Sequence, residues 1–228
     1  MRFKWVSFDC YGTLIDWEKG IISALSPYLA MLQSSPTERE ILRLYARLES
    51  LAEKTWKPYR LVLEEVAQGM FQTFGLTVTK EMKELFWRTL PSWKPFPEVK
   101  AALLSLKSQG FKIAIISNID PDLLEKSLEQ IGASFDELVT AYEARCYKPY
   151  PEIFALAEKK FSSAPQEIFH VAQSLFHDVA PARQRGWTTC WVRRPGRDTF
   201  GATPKAEAFP DYTVSSLAEI PELLKGLL

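Results

Sequence analysis

The sequence predicts an α/β fold: a parallel, five-stranded core sheet carrying an inserted, all-helical cap. Three observations point there. Short apolar runs bounded by Gly, Pro and Asn alternate with helical patterns through the second half of the chain, as in sheets covered on both faces. The first such run is followed by a long stretch that reads as helix only. The polar residues that interrupt the apolar runs cluster where the runs end.

The elements follow in order. Residues 3–8 form a short, mostly apolar run ending at Asp9, as in a buried parallel strand, and a Tyr11-Gly12-Thr13 turn comes next. From about residue 16 to residue 90 the pattern is helical. Pro36 and Thr37, with Glu40 three residues later, form a capping box, and Ile41, Leu44, Leu48 and Leu51 recur at helical spacing. A second helix is predicted over 59–74, stopping at Gly75, and a third over 79–89.

Pro91, Pro95 and Pro97 break this block and the alternation resumes. The prediction is helix 99–108, strand 111–117 (FKIAIIS), helix 121–131, strand 138–142, helix 150–161, strand 168–172, helix 179–185 and strand 188–192. A loop over 194–210 and a terminal helix over 217–228 complete it. The helical stretch after the first strand is too long for a crossover, so residues 1–15 and 91–228 are expected to form the core and 16–90 the cap.

Composition narrows the function. The 228 residues are 46% hydrophobic and 25% charged, with 28 basic and 28 acidic side chains. A net charge of zero argues against a nucleic-acid footprint and a polybasic membrane surface. Cys10, Cys146 and Cys190 are sparse, odd in number and without a CxxC pair, which reads as reduced thiols. The N-terminus enters a strand directly, and no apolar run approaches the roughly 18 residues of a membrane span. The expectation is a cytoplasmic protein acting on a small anionic substrate, with self-association as a homodimer left open.

In an open parallel sheet, ligands bind at the carboxyl ends of the strands. Those ends carry Asp9 and Thr13, Ser117 and Asn118, Lys148, and Asp178. A carboxylate nucleophile needs donors to aim it and an ammonium to keep it ionised. Each has a plainer reading. Lys148 alone would pass for a surface lysine before a helix, and Asp178 also suits a helix N-cap. His170, inside a strand, reads as a satisfied core histidine, His177 is open, and Trp17, Trp56 and Phe71 read as packing.

Four segments resemble the ordered motifs of the haloacid dehalogenase superfamily: FDCYGTL at 8–14, ISN at 116–118, YKP at 147–149 and HVAQSLFHD at 170–178. The resemblance spans essentially the whole chain and is nearest to the type II 2-haloacid dehalogenases. It implies a Rossmann-like core, with Asp9 as nucleophile and Lys148 and Asp178 as its catalytic partners. Phosphatases of the superfamily carry a general acid two residues after the nucleophile. Tyr11 stands there instead, and a departing halide needs no proton.

The resemblance further implies that Tyr11, Thr13, Ser117, Asn118 and Gln173 contact substrate. An arginine on the first cap helix would receive the halide; Arg43 matches best, with Arg47 and Arg39 as fallbacks. The sequence departs from the type II pattern at Phe154, where Tyr is usual, and at Gln173 and Leu175, where Ser and Asn are usual. Leu175 cannot position water, so Gln173 or His177 would substitute, or the substrate differs.

The dehalogenase reading implies no cofactor. The rival reading is a Mg²⁺-dependent phosphatase, with Asp9, the Tyr11 carbonyl and Asp178 as oxygen ligands. A third is a catalytically weak binding or regulatory member.

Overall fold

The computed structural model describes residues 2–195 and 207–227. Part of the loop expected over 194–210, and the last residue of the terminal helix, lie outside the described residues.

The chain enters through β1 (Trp5–Phe8), buried along its whole length, and then forms only helices until residue 92. These are α1 (Trp17–Leu29), α2 (Glu38–Ala52), α3 (Tyr59–Thr73), α4 (Lys80–Lys83) and α5 (Leu85–Thr89), ending in a 3₁₀ turn at 90–92. Alternation follows: α6 (Val99–Ser108), β2 (Lys112–Ser117), α7 (Pro121–Ile131), β3 (Glu137–Thr140), α8 (Ala141–Ala144), α9 (Pro151–Phe161) and β4 (Ile168–Ala172). The chain closes with α10 (Ala180–Gln184), β5 (Thr188–Val192), β6 (Tyr212–Val214) and α11 (Ile220–Lys225).

The sheet is parallel throughout, in the order β3-β2-β1-β4-β5-β6. The order reverses beside β1, so the crevice beyond the ends of β1 and β4 is the switch point of the fold. Phe8, the last residue of β1, is level with Ile115 on one side and Val171 on the other. Asp9 therefore emerges at the centre of that edge.

Among the described residues six strands form, where five were expected. The sixth is too short to show a period. It is held beside β5 by Asp211, whose carboxylate accepts from the Thr189 amide at 2.8 Å and the Thr189 hydroxyl at 3.1 Å. The strand expected over 138–142 ends at Thr140, because Thr140 and Glu143 form a capping box that starts α8. The helix expected over 179–185 forms as α10 (Ala180–Gln184), entered through a wide helical turn over Leu175–Val179 that was not expected.

Local chemistry sets the inserted helices. Asp16 caps α1 by accepting from the Lys19 amide at 3.2 Å, and Thr37 and Glu40 form the capping box of α2. Pro58 precedes α3 and offers no capping side chain. That task falls to Asp120, beyond the end of β2, whose two oxygens accept from the Tyr59 amide at 2.8 Å and the Arg60 amide at 2.9 Å. The Tyr147 hydroxyl likewise donates to the Lys57 carbonyl. The inserted helices are thus tied to the core beside two of its functional loops. Among the described residues no helix is long and apolar enough to cross a membrane.

Candidate active site

Asp9 leaves β1 into a turn that glycine makes possible. Gly12 has φ +99°, and a Cβ there would sit 2.9 Å from Trp17 Nε1. The Asp9 carboxylate is 7% exposed. Thr13 donates to its Oδ2 at 2.7 Å, and Lys148 donates to its Oδ1 at 2.8 Å. Lys148, 2% exposed, also donates to Asp178 Oδ1 at 2.7 Å and to the Ile116 carbonyl at 2.9 Å. One ammonium therefore bridges two buried carboxylates.

The two acids are pushed apart. Burial raises Asp9, and the Asp178 charge adds to that, while Lys148 pulls it back down; the net position is above the ordinary range. Burial also acts to raise Asp178, but Lys148 and the hydrogen bond from His170 outweigh it and hold it below the ordinary range. Asp178 is thus the first of the pair to ionise. His170 Nε2 lies 3.1 Å from Asp178 Oδ1, and its Nδ1 is hydrogen-bonded to Ser7 Oγ at 2.9 Å. This buried histidine is satisfied, as expected, and it also fixes Asp178. Asp178 Oδ2 is buried without a hydrogen-bond partner in the wall of the cavity above Asp9.

The expected site residues divide into two groups. Asp9, Tyr11, Ser117, Asn118, Lys148 and Asp178 all line one cavity beneath the inserted helices. The Tyr11 hydroxyl is hydrogen-bonded to Ser127 Oγ at 2.8 Å. Asn118 accepts from the Lys148 amide at 2.7 Å and donates to the Lys148 carbonyl at 3.2 Å, so its side chain sets the backbone of the lysine.

Thr13, Gln173 and Arg43 do not line the cavity. Thr13 is fully buried between the Asp9 carboxylate and the Gln173 amide, which donates to Thr13 Oγ1 at 2.9 Å. Gln173 thus acts through its backbone, and its side-chain oxygen lies 3.3 Å from where a Cβ on Gly12 would be. Arg43, Arg47 and Arg39 are exposed. The residues that reach the cavity from α2 and its C-cap are Tyr45, Glu49 and the capping Glu53, one helical stripe at intervals of four, and no arginine lines it among the described residues.

Sequence reasoning missed those glutamates. The Tyr59 hydroxyl donates to Glu49 Oε1, and Tyr45 is bonded to the same carboxyl. Burial raises Glu49 to about 7 against the opposing effect of these hydroxyls. Glu53 is raised by burial and by the charge of Glu49, although Asn118 donates to it at 3.3 Å. The one available signal was their spacing from Tyr45. Trp17, read as packing, and Trp93 complete the aromatic wall; Trp93 lies against bare backbone, since a Cβ on Gly20 would meet its ring at 2.5 Å. His177, also in the wall, is kept neutral near pH 7: burial and the Lys148 charge lower it to about 4 despite Asp178.

The donors do not suit Mg²⁺, which demands near-octahedral oxygen coordination. Asp9 and Asp178 both give Oδ1 to Lys148 and Asp9 gives Oδ2 to Thr13, which leaves Asp178 Oδ2 as the one unengaged oxygen of the two carboxylates. Among the described residues no group of three or more His, Cys, Asp or Glu is arranged to hold a metal ion.

Known proteins resemble this chain in sequence and in fold. Haloacetate dehalogenase H-2 of Moraxella sp. (strain B) is 27% identical, over 98% of this chain and 98% of its own. The (S)-2-haloacid dehalogenase of Pseudomonas sp. (strain YL) is 28% identical, over 97% and 94%. The fold is that of the L-2-haloacid dehalogenase from Xanthobacter autotrophicus with chloropropionic acid covalently bound (TM-score 0.85, 22% identity, 99% of this chain and 100% of that one). A haloacid dehalogenase-like hydrolase profile matches residues 3–186. The chain, a hydrolase, belongs to the haloacid dehalogenase-like family.

Proposed function

We propose that the protein hydrolyses the carbon–halogen bond of short 2-haloalkanoic acids through an ester on Asp9. The observation that carries this reading is the pairing of a buried Asp9–Lys148–Asp178 cluster with Tyr11 at the place of a general acid. The relatives named as haloacetate and (S)-2-haloacid dehalogenases support it.

In the first step an Asp9 oxygen attacks C2 opposite the halogen. A C–O bond forms, the C–X bond breaks, and halide leaves with its electron pair. Lys148 keeps Asp9 ionised in a site that favours the neutral acid. Tyr11, whose burial holds its hydroxyl protonated, is not required as an acid because halide departs without a proton. Ser117 lines the floor as a donor for the substrate carboxylate.

In the second step water attacks the ester carbonyl of Asp9 and gives its proton to Asp178 Oδ2, the unpartnered acceptor in the wall. As the tetrahedral intermediate collapses, the bond from the Asp9 carbonyl carbon to the ester oxygen breaks, and that oxygen takes the proton from Asp178 and leaves as the 2-hydroxy acid. The second proton of the water passes to solvent as Asp9 regains its carboxylate. Thr13, Gln173 and His170 position these groups without touching substrate.

The test is a single turnover of 2-chloropropionate in H₂¹⁸O. Water oxygen enters Asp9, not the first molecule of product, and the label is read on the Asp9 peptide by mass spectrometry. Label in the product alone would mean that water attacks the substrate directly.

A further inference from the structure

The cavity above Asp9 has two chemically different halves. The core half holds Lys148, the cation of the lining among the described residues, and that ammonium is already shared by Asp9 and Asp178. The half facing the inserted helices is walled by Trp17, Tyr45, Tyr59 and Trp93, with Glu49 and Glu53 between them. Glu49 is met by the Tyr59 and Tyr45 hydroxyls and Glu53 by the Asn118 amide, all neutral donors, and a plain haloacid brings no cation to pair with either carboxyl. Aromatic faces around a carboxylate are instead the surroundings that hold an alkylammonium, through ring quadrupoles and a charged hydrogen bond.

We propose that the substrate carries an ammonium group on the end facing the inserted helices, bound by Glu49 and Glu53 within the cage of Trp17, Tyr45, Tyr59 and Trp93. This rests on the Asp9 reading for the other end of the molecule, where carboxylate and halogen meet the core. The substrate class is then an amino-bearing 2-halo acid, zwitterionic overall. No arginine lines the wall among the described residues, which fits the same class, since a guanidinium there would repel an ammonium.

The groups facing Glu49 are Tyr45 on its own helix, Glu53 at the C-cap of that helix and Tyr59 on α3. Glu53 faces Asn118 and Lys148 of the core and Glu49 on one side, and on the other shares a surface groove with Lys54, Arg145, Tyr147 and Glu152. With burial holding both glutamates towards the protonated form, an arriving cation displaces a proton. Binding at pH 7 is therefore accompanied by proton release, visible in calorimetry as a dependence of the heat on buffer ionisation.

Two experiments on the full chain separate this proposal from the reaction it rests on. In titration calorimetry, n-butylammonium binds about tenfold or more tightly than butyrate, and Glu49→Gln and Glu53→Gln each remove most of that preference. Thermal melts check that the variants fold. Butyrate binding as tightly as butylammonium, or butylammonium binding unchanged in both folded variants, overturns the ammonium site. In the second experiment, halide release from 4-amino-2-chlorobutanoate exceeds that from 2-chloropentanoate by about tenfold in kcat/KM, and the double glutamine variant erases the difference. Equal turnover of the two in the parent protein also overturns it. Release from neither substrate, beside glutamate-dependent butylammonium binding, upholds the ammonium site and sinks the dehalogenation reading instead.

Discussion

Replacing Lys148 by methionine keeps the length of the side chain and removes its charge. The lysine makes three buried bonds, at 2.8, 2.7 and 2.9 Å, two of them to carboxylates that are otherwise shut away from water. Breaking a buried ion pair by removing one partner costs about 3–5 kcal/mol, because the other charge stays buried. Asp9 escapes that cost by taking up a proton. A cost of about 3 kcal/mol at roughly 1.4 kcal/mol per pKa unit corresponds to an upward shift of about two units in Asp9. The variant therefore loses about a hundredfold or more in turnover at pH 7, and the acid limb of its kcat/KM profile moves up by about two units.

Stability follows the same proton. A carboxyl whose folded pKa is raised contributes stability that is present below its unfolded value near 3.9 and lost as pH rises through the folded value. Lys148→Met is thus nearest to the parent at pH 5 and falls furthest below it at pH 8. The assays are halide release from 2-chloropropionate and thermal denaturation, both from pH 5 to pH 9. A folded variant with the parent's turnover and an unshifted acid limb would refute the argument that this ammonium ionises Asp9.

Asp9→Asn abolishes turnover while far-UV circular dichroism stays that of the parent; near-normal rates, with deamidation excluded by mass, would remove Asp9 as nucleophile. Halide release from 2-chloropropionate and bromoacetate survives exhaustive chelation and gains nothing from Mg²⁺. Turnover confined to a phosphate-ester panel with Mg²⁺ would replace the dehalogenase reading with the phosphatase one. Burial lifts Glu49 from 4.5 to about 7, so its contribution to stability is full below pH 4.5 and fades as pH rises through about 7. Glu49→Gln accordingly flattens the fall in Tm between pH 5 and pH 8, by up to roughly 3 kcal/mol in stability; an unchanged slope places the titrating group elsewhere.

The core half of the site was legible because parallel strands deliver polar residues to one edge, and Asp9, Ser117, Lys148 and Asp178 each stand just beyond an apolar run or in its following loop. The helical half was not. Its first face was read from Ile41, Leu44, Leu48 and Leu51, whereas the structure buries Ile41, Tyr45 and Ala52 and leaves Leu51 53% exposed. At about 100° per residue, that difference in phase is enough to turn Arg43 to solvent and Glu49 inward. A glutamate on a charged amphipathic helix carries no mark of burial in sequence, since the partner that encloses it is another part of the chain. The same limit hid the positioning roles of Thr13 and Gln173, which rest on a contact across 160 residues.

The capping of α3 by Asp120 makes two backbone amides into reporters of any opening between the inserted helices and the core. If the inserted helices swing away from the core, the Tyr59 and Arg60 amides lose their acceptors and face water, because Pro58 supplies no replacement. Each opening event frays the first turn of the helix that bears Tyr59, one wall of the cavity. Hydrogen–deuterium exchange at those two positions then counts openings directly, and a ligand that bridges the two halves slows it in proportion to its occupancy. An opening that exposed Asp9 in this way would also loosen the start of α3, so the two would be read in one measurement.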